Sequence, residues 1–114
     1  MSLEELDLYD NRLKVIENLS HLKALKILDL SFNRIKVIEN LEGLDNLERL
    51  FLVSNRFKVI ENLGCLPKLN NLDLGDNKIK SLEGVEECKG LTDFYIASNR
   101  IQEIHPCIGQ LQNL

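Results

Sequence analysis

Apolar positions return along the chain in a fixed frame. Leu3-x-x-Leu6-x-Leu8-x-x-Asn11-x-Leu13 reappears as Leu25-x-x-Leu28-x-Leu30-x-x-Asn33-x-Ile35, and again as Leu47-x-x-Leu50-x-Leu52-x-x-Asn55-x-Phe57. A fourth copy carries Leu69, Leu72, Leu74, Asn77 and Ile79, and a fifth carries Leu91, Phe94, Ile96, Asn99 and Ile101. The asparagines Asn11, Asn33, Asn55, Asn77 and Asn99 follow one another at intervals of 22 residues. Within each run, apolar residues alternate with variable ones, which is the period of a strand with one buried face. The frame therefore predicts five short strands, near residues 5–8, 27–30, 49–52, 71–74 and 93–96. The second half of each coil, as in Val15-Ile16-Glu17-Asn18-Leu19-Ser20-His21-Leu22, loses that alternation and predicts 3₁₀ or irregular turns. Asn18, Asn40 and Asn62 stand where they would cap those turns, with Gly84 and Pro106 at the corresponding places.

One such coil cannot bury its own apolar side, but stacked coils share a continuous core. This is the frame of the leucine-rich repeat. It predicts an α/β right-handed solenoid of five coils, with a parallel β-sheet on the concave face and short turns on the convex face. The coils run over 3–24, 25–46, 47–68, 69–90 and 91–113, so that residues 1–114 form one repeat domain without dedicated caps. The recurring asparagines form a structural ladder: where the chain leaves the sheet, an amide that both donates and accepts can satisfy backbone groups coil after coil. Cys88 stands where other coils place Leu22, Leu44 and Leu66, so it reads as a small core residue. Uncapped ends leave Leu6, Leu8, Ile108 and Leu111 partly uncovered, an invitation to self-association.

Charge narrows the function. With 14 Lys+Arg against 18 Asp+Glu the chain is mildly acidic, which argues against a dominant electrostatic grip on nucleic acid. No apolar run is long enough to span a membrane, and the first residues carry no basic-then-apolar signal segment. Cys65, Cys88 and Cys107 cannot all pair and lack metal-ligand or redox spacing, which fits a reducing compartment. His21 and His105 have no nucleophile at a triad's spacing, and no phosphate-binding or zinc-protease motif occurs. No catalysis, cofactor or metal site is expected.

Function is then sought in the positions the frame leaves free. The middle outward column of the strands reads Asp7, Asp29, Phe51, Asp73, Tyr95. Glu5, Ile27, Arg49, Asn71 and Asp93 run on one side of it, and Tyr9, Ser31, Val53, Gly75 and Ala97 on the other. With the adjoining Asp10 and Asp76, this face gathers its acids against the single base Arg49. Aromatic anchors ringed by polar groups are what protein-binding hot spots look like. Asp29, Phe51, Asp73, Tyr95, Asp7, Tyr9, Ile27, Arg49, Val53 and Asp93 are accordingly the candidate partner-binding residues. Most of the bases, among them Lys14, Lys36 and Lys58, collect instead in a flank stripe that Glu17, Glu39, Glu61 and Glu83 are expected to neutralise in part.

The strings Leu6-Asp7-Leu8-Tyr9-Asp10-Asn11, Ile27-Leu28-Asp29-Leu30-Ser31-Phe32-Asn33 and Leu50-Phe51-Leu52-Val53-Ser54-Asn55, with the repeated V-I-E-N-L, resemble the leucine-rich regulatory subunits of type 1 protein phosphatase, the regulatory subunit 7 family. The resemblance covers residues 6 to about 100. It implies a noncatalytic regulatory partner, nuclear and cytoplasmic, whose concave face binds the phosphatase catalytic subunit through an alternating acidic and aromatic column. Asp29, Phe51, Asp73 and Tyr95 match that column. The chain is shorter than the family's many-repeat domains, and its last coil, from Ile104 to Leu111, resembles a longer class of repeat. The competing reading is a structural adaptor of an axonemal motor or of a ribonucleoprotein complex, which share the 22-residue coil.

Overall fold

The computed structural model describes residues 3–101. It contains five strands, β1 (Glu5–Asp7), β2 (Ile27–Asp29), β3 (Arg49–Phe51), β4 (Asn71–Asp73) and β5 (Asp93–Tyr95). They form one sheet in sequence order, every pair parallel. The register follows the repeat: Leu6, Leu28, Leu50, Leu72 and Phe94 are successive partners. Each strand stops one residue short of its expected end, because the next residue already turns toward the asparagine. The pairing nevertheless runs on past the strands, as in Leu30 N–H to the Phe51 carbonyl and Leu52 N–H to that of Asp73, both 2.8 Å.

Helix is nearly absent among the described residues: one 3₁₀ turn spans Val85–Glu87. The other outer segments are turns closed by single backbone bonds, such as Leu22 N–H to the Leu19 carbonyl and Leu66 N–H to that of Leu63. The core is a stack of leucines and isoleucines. Leu25, Leu28, Leu47, Leu50, Leu72 and Leu91 are fully buried, and Phe57 fills the place that Ile35 and Ile79 take in the coils beside it. Cys88 is buried among them as expected. Leu6 and Leu8 in the first coil, and Phe94 and Ile96 in the fifth, are only half-buried, since each has a neighbouring described coil on one side. Ile108 and Leu111, like Cys107, His105 and Pro106, lie outside the described residues.

The inner asparagines do what their recurrence implies. Asn33 Nδ2 donates to the carbonyls of Leu30 and Ser31 in its own coil and to Leu8 in the coil before, while its Oδ1 accepts from Leu13 N–H. Asn55, Asn77 and Asn99 repeat the arrangement, and Asn11, in the first described coil, makes only local bonds among the described residues.

The outer asparagines behave differently from the capping expectation. Asn40 Nδ2 donates to the Ile16 carbonyl and Asn62 Nδ2 to that of Ile38, each at 2.7 Å. They thus bridge neighbouring coils. The backbone explains it: Asn18, Asn40 and Asn62 have φ of 62, 61 and 60°, a left-handed conformation that a helix N-cap does not use. Asparagine is among the few non-glycine residues that enter this region readily. Gly84 takes the same place at φ 106° and precedes the 3₁₀ turn without any side-chain cap.

Candidate functional site

The strand register builds the candidate face directly. Asp7 pairs with Asp29, Asp29 with Phe51, Phe51 with Asp73 and Asp73 with Tyr95. The parallel column Glu5, Ile27, Arg49, Asn71, Asp93 lies two residues upstream in the same registers. Neighbouring members of a column stand about 4.8 Å apart, the spacing of hydrogen-bonded strands. Tyr95 is 51% exposed, whereas Phe51 is half-buried between the two aspartates that flank it. Asp7, Arg49 and Asp93 are exposed, and Ile27, Asp29, Asp73 and Val53 are half-buried. The structure thus brings all ten candidates onto one face.

The third column is less uniform than expected. Tyr9 is exposed and Val53 half-buried, but Ser31 is buried at 4% exposure and offers nothing to a partner. Its hydroxyl accepts a hydrogen bond from Val53 N–H at 3.1 Å. The aspartates also carry structural duties that their charge alone does not reveal. Asp7 Oδ1 accepts from Tyr9 N–H, Asp29 Oδ1 from Ser31 N–H and Asp73 Oδ1 from Gly75 N–H, at 2.9, 2.9 and 3.0 Å. A short acceptor two residues before a turn stabilises it locally, so part of the acidic column is explained by backbone chemistry. These bonds offset the repulsion expected between Asp7 and Asp29 across the ladder. The buried Oδ1 of Asn71, in the column beside, meets no donor among the described residues.

A feature the sequence reading passed over sits at the rim. Asp10, Phe32, Ser54, Asp76 and Ser98 all have φ between 54 and 60°. Four are short polar residues, a composition that signals a left-handed turn; Phe32 departs from it. Its ring packs against Tyr9 with centroids 5.0 Å apart and planes inclined by 58°.

The basic flank is not neutralised in the expected manner. Among the described residues the one ion pair within contact distance joins Lys26 to Glu4 at 3.3 Å, away from the stripe. Glu17, Glu39, Glu61 and Glu83 therefore leave the flank cations unpaired by direct contact. A groove of about 610 Å³ lies there, lined by Lys58, Val59, Ile60, Lys80, Ser81 and Glu83. Its lining repeats the recurring lysine and valine positions of neighbouring coils. The described residues include no group of three or more His, Cys, Asp or Glu placed to hold a metal ion, and no helix long and apolar enough to cross a membrane.

Among solved structures, internalin C2 of Listeria monocytogenes is 30% identical over 99% of this chain and 50% of its own, with a TM-score of 0.88. A leucine-rich-repeat protein of Leptospira interrogans is also 30% identical, over 98% of this chain and 30% of its own, with a TM-score of 0.88. The Drosophila melanogaster SNF/U2A' complex contains a chain 29% identical over 94% of this one and 69% of its own, with a TM-score of 0.78. The chain spans half or less of the length of the two bacterial proteins. No curated protein matches the sequence. A leucine-rich-repeat family model matches residues 1–57, and a model of two leucine-rich-repeat copies matches residues 45–87. With the frame, the parallel sheet and both matches in agreement, the chain belongs to the leucine-rich-repeat family, whose fold is a scaffold for binding proteins.

Proposed function

We propose that this chain is a noncatalytic regulatory scaffold that binds the catalytic subunit of a type 1 protein phosphatase through its concave face. The observation that carries the reading is the continuous column Asp29, Phe51, Asp73, Tyr95, set in register across four adjacent strands. It alternates acid and aromatic as the resemblance to the regulatory subunit 7 family implies. Phe51 in the middle strand and Tyr95 in the last supply apolar area, and Asp29, Asp73, Asp7 and Asp93 supply charge for basic groups on the partner. Ile27, Val53, Arg49 and Tyr9 border the column. A nuclear and cytoplasmic location accompanies this reading.

The experiment is affinity purification of the tagged chain from cell extract, with identification of what is retained. Recovery of a phosphatase catalytic subunit, at near-equal amounts and lost on mutation of the column, supports the proposal. The second reading, an adaptor in a ribonucleoprotein complex, is favoured by the likeness to a chain of the SNF/U2A' complex over most of both lengths. Recovery of a ribonucleoprotein component instead of a phosphatase would replace the first reading with the second.

A further inference from the structure

The Tyr9–Phe32 pair is required by neither the core nor the turn that holds it. Tyr9 is 51% and Phe32 46% exposed, so both residues remain open to solvent. Phe32 adopts φ 59°, where the equivalent positions carry Asp10, Ser54, Asp76 and Ser98. Short polar residues suit that backbone, and a bulky aromatic opposes it. The ring packs on Tyr9 across the first two coils, yet both side chains stay substantially exposed against the backbone preference of Phe32. Residues 5–10 and 27–32 contain four carboxylates, Glu5, Asp7, Asp10 and Asp29, and no base, while Arg12, Lys26 and Arg34 stand just outside those segments. Asp10 both follows Tyr9 and fills Phe32's position in the neighbouring coil.

We infer that this pair seats an arginine side chain of a basic protein segment, with the guanidinium stacked on the exposed rings and its N–H fork on Asp7 or Asp10. Arginine matches the two components together. Its plane is weakly hydrated and stacks on aromatic faces, and its paired donors fit a carboxylate. Lysine would satisfy the charge without the stacking, and an aliphatic side chain the rings without the charge. The inference rests on the reading of the concave side as a protein-binding surface and names the chemistry of one end of it.

The test uses the full chain and a blocked Gly-Arg-Gly-Arg-Gly peptide, with versions carrying lysine, citrulline or norleucine for arginine, titrated by NMR. The arginine peptide is expected to shift the Tyr9 and Phe32 ring signals saturably, with a dissociation constant at least 5-fold below that of every replacement. Phe32→Ser should weaken it at least 10-fold while leaving the melting temperature unchanged or higher, since the third and fifth coils place serine at that turn. Equal binding of the norleucine peptide, or retained binding by Phe32→Ser, overturns the inference. If Phe32→Ser unfolds the chain, the test passes to Tyr9→Ser, which should weaken the arginine peptide at least 10-fold, and retained binding by that variant overturns the inference. No phosphatase enters the assay. A chain that captures arginine peptides but no phosphatase loses the proposed partner and keeps this site, and the opposite result removes this site alone.

Discussion

Ser31 Oγ accepts the Val53 N–H at 3.1 Å across the boundary between the second and third coils. In the first, second and fourth coils the equivalent N–H, on Tyr9, Ser31 or Gly75, is satisfied by the aspartate two residues earlier. The third coil has Phe51 in the aspartate's place, and a hydroxyl from the neighbouring coil supplies the acceptor that the ring cannot. The exchange of an acid for an aromatic on the concave face is thus accommodated one coil away. Tyr95 makes the same exchange in the fifth coil, where the neighbouring Gly75 has no side chain to answer it.

This relationship predicts an energetic coupling. Ser31→Ala should cost about 1 kcal/mol, the usual net contribution of one hydrogen bond, as measured by urea unfolding. In a Phe51→Asp background the new carboxylate can accept Val53 N–H, and the same serine substitution should cost close to nothing. Additive effects in the double-mutant cycle would show that the serine acts through packing alone.

The inner ladder predicts a larger loss at its buried members than at the exposed Asn11. Asn77 Nδ2 donates to Leu52, Leu74 and Gly75 carbonyls, and its Oδ1 accepts from Asn55 and Phe57 N–H. Asn77→Ala strands buried groups in two coils and should cost roughly 3 kcal/mol or more. Asn77→Asp should be worse, since it sets a carboxylate against three carbonyls. Asn11 is exposed and bonds only within its own coil, so Asn11→Ala should cost about 1 kcal/mol or less. Equal losses at the two sites would contradict the ladder.

The ladder of asparagines was legible in the sequence, and so was most of the architecture, while the difference between Asn11 and Asn77 came from their hydrogen bonds. Strict two-residue alternation fixes which side chains enter the core, and an invariant 22-residue interval leaves a single in-register stacking, which is why Leu6, Leu28, Leu50 and Leu72 meet as anticipated. The acidic and aromatic column followed from the same arithmetic. What stayed hidden depends on backbone dihedrals. Asn40 as a cap and Asn40 as a bridge require the same residue type, and its φ of 61° decides between them. Likewise Asp29 reads as a free surface charge until its bond to Ser31 N–H is seen. The left-handed turns had a signal, the polar residues Asp10, Ser54, Asp76 and Ser98 before each asparagine, and Phe32 obscured it.

At Gly84 the outer ladder is interrupted, and the interruption is testable. Asn40 and Asn62 donate to isoleucine carbonyls in the coil before, and the corresponding carbonyl here, Ile60, lies directly against Gly84. A Cβ added at φ 106° would collide with that oxygen. Gly84→Ala should therefore destabilise by roughly 2 kcal/mol or more. Gly84→Asn should cost less, because relaxation toward the φ of Asn62 would let the amide donate to Ile60. Thermal melting of the two variants gives the ranking, and a less stable asparagine variant would show that the backbone here cannot relax.

Alkaline pH should weaken the fold through Cys88. Burial, aided by the charges of Glu87 and Glu86, pushes its thiol from the ordinary 9.0 up to about 12. The sign follows from proton counting: between those values the unfolded chain has lost a proton that the folded chain keeps, so stability falls as pH rises. The loss approaches about 1.4 kcal/mol per pH unit above 9 and is absent below pH 8. The measure is the stability difference between wild type and Cys88→Ala, which isolates the contribution of this thiol. That difference should shrink from pH 8.5 to 10.5, and a constant difference would mean that the thiol ionises in the folded protein.

The concave column itself predicts a division of labour among its residues. If the proposed phosphatase partner is correct, Phe51 and Tyr95, truncated to alanine, should each weaken its binding by about 2 kcal/mol, roughly 30-fold, as aromatic anchors do. Asp29→Asn tests charge without disturbing the turn, because the asparagine carbonyl can still accept Ser31 N–H in place of Asp29 Oδ1. If Asp29 lies at the rim of the interface, that change should slow association and reduce its salt dependence; if it is desolvated, dissociation should quicken. Surface plasmon resonance at two salt concentrations separates these outcomes. Lys14, Lys36 and Lys58 are exposed on the flank and serve as the control. Their combined replacement by serine should leave binding unchanged. Loss of binding in that triple variant, with Phe51→Ala and Tyr95→Ala still active, would move the site from the sheet to the basic flank, where the groove between Lys58 and Lys80 is the surface a partner would enter.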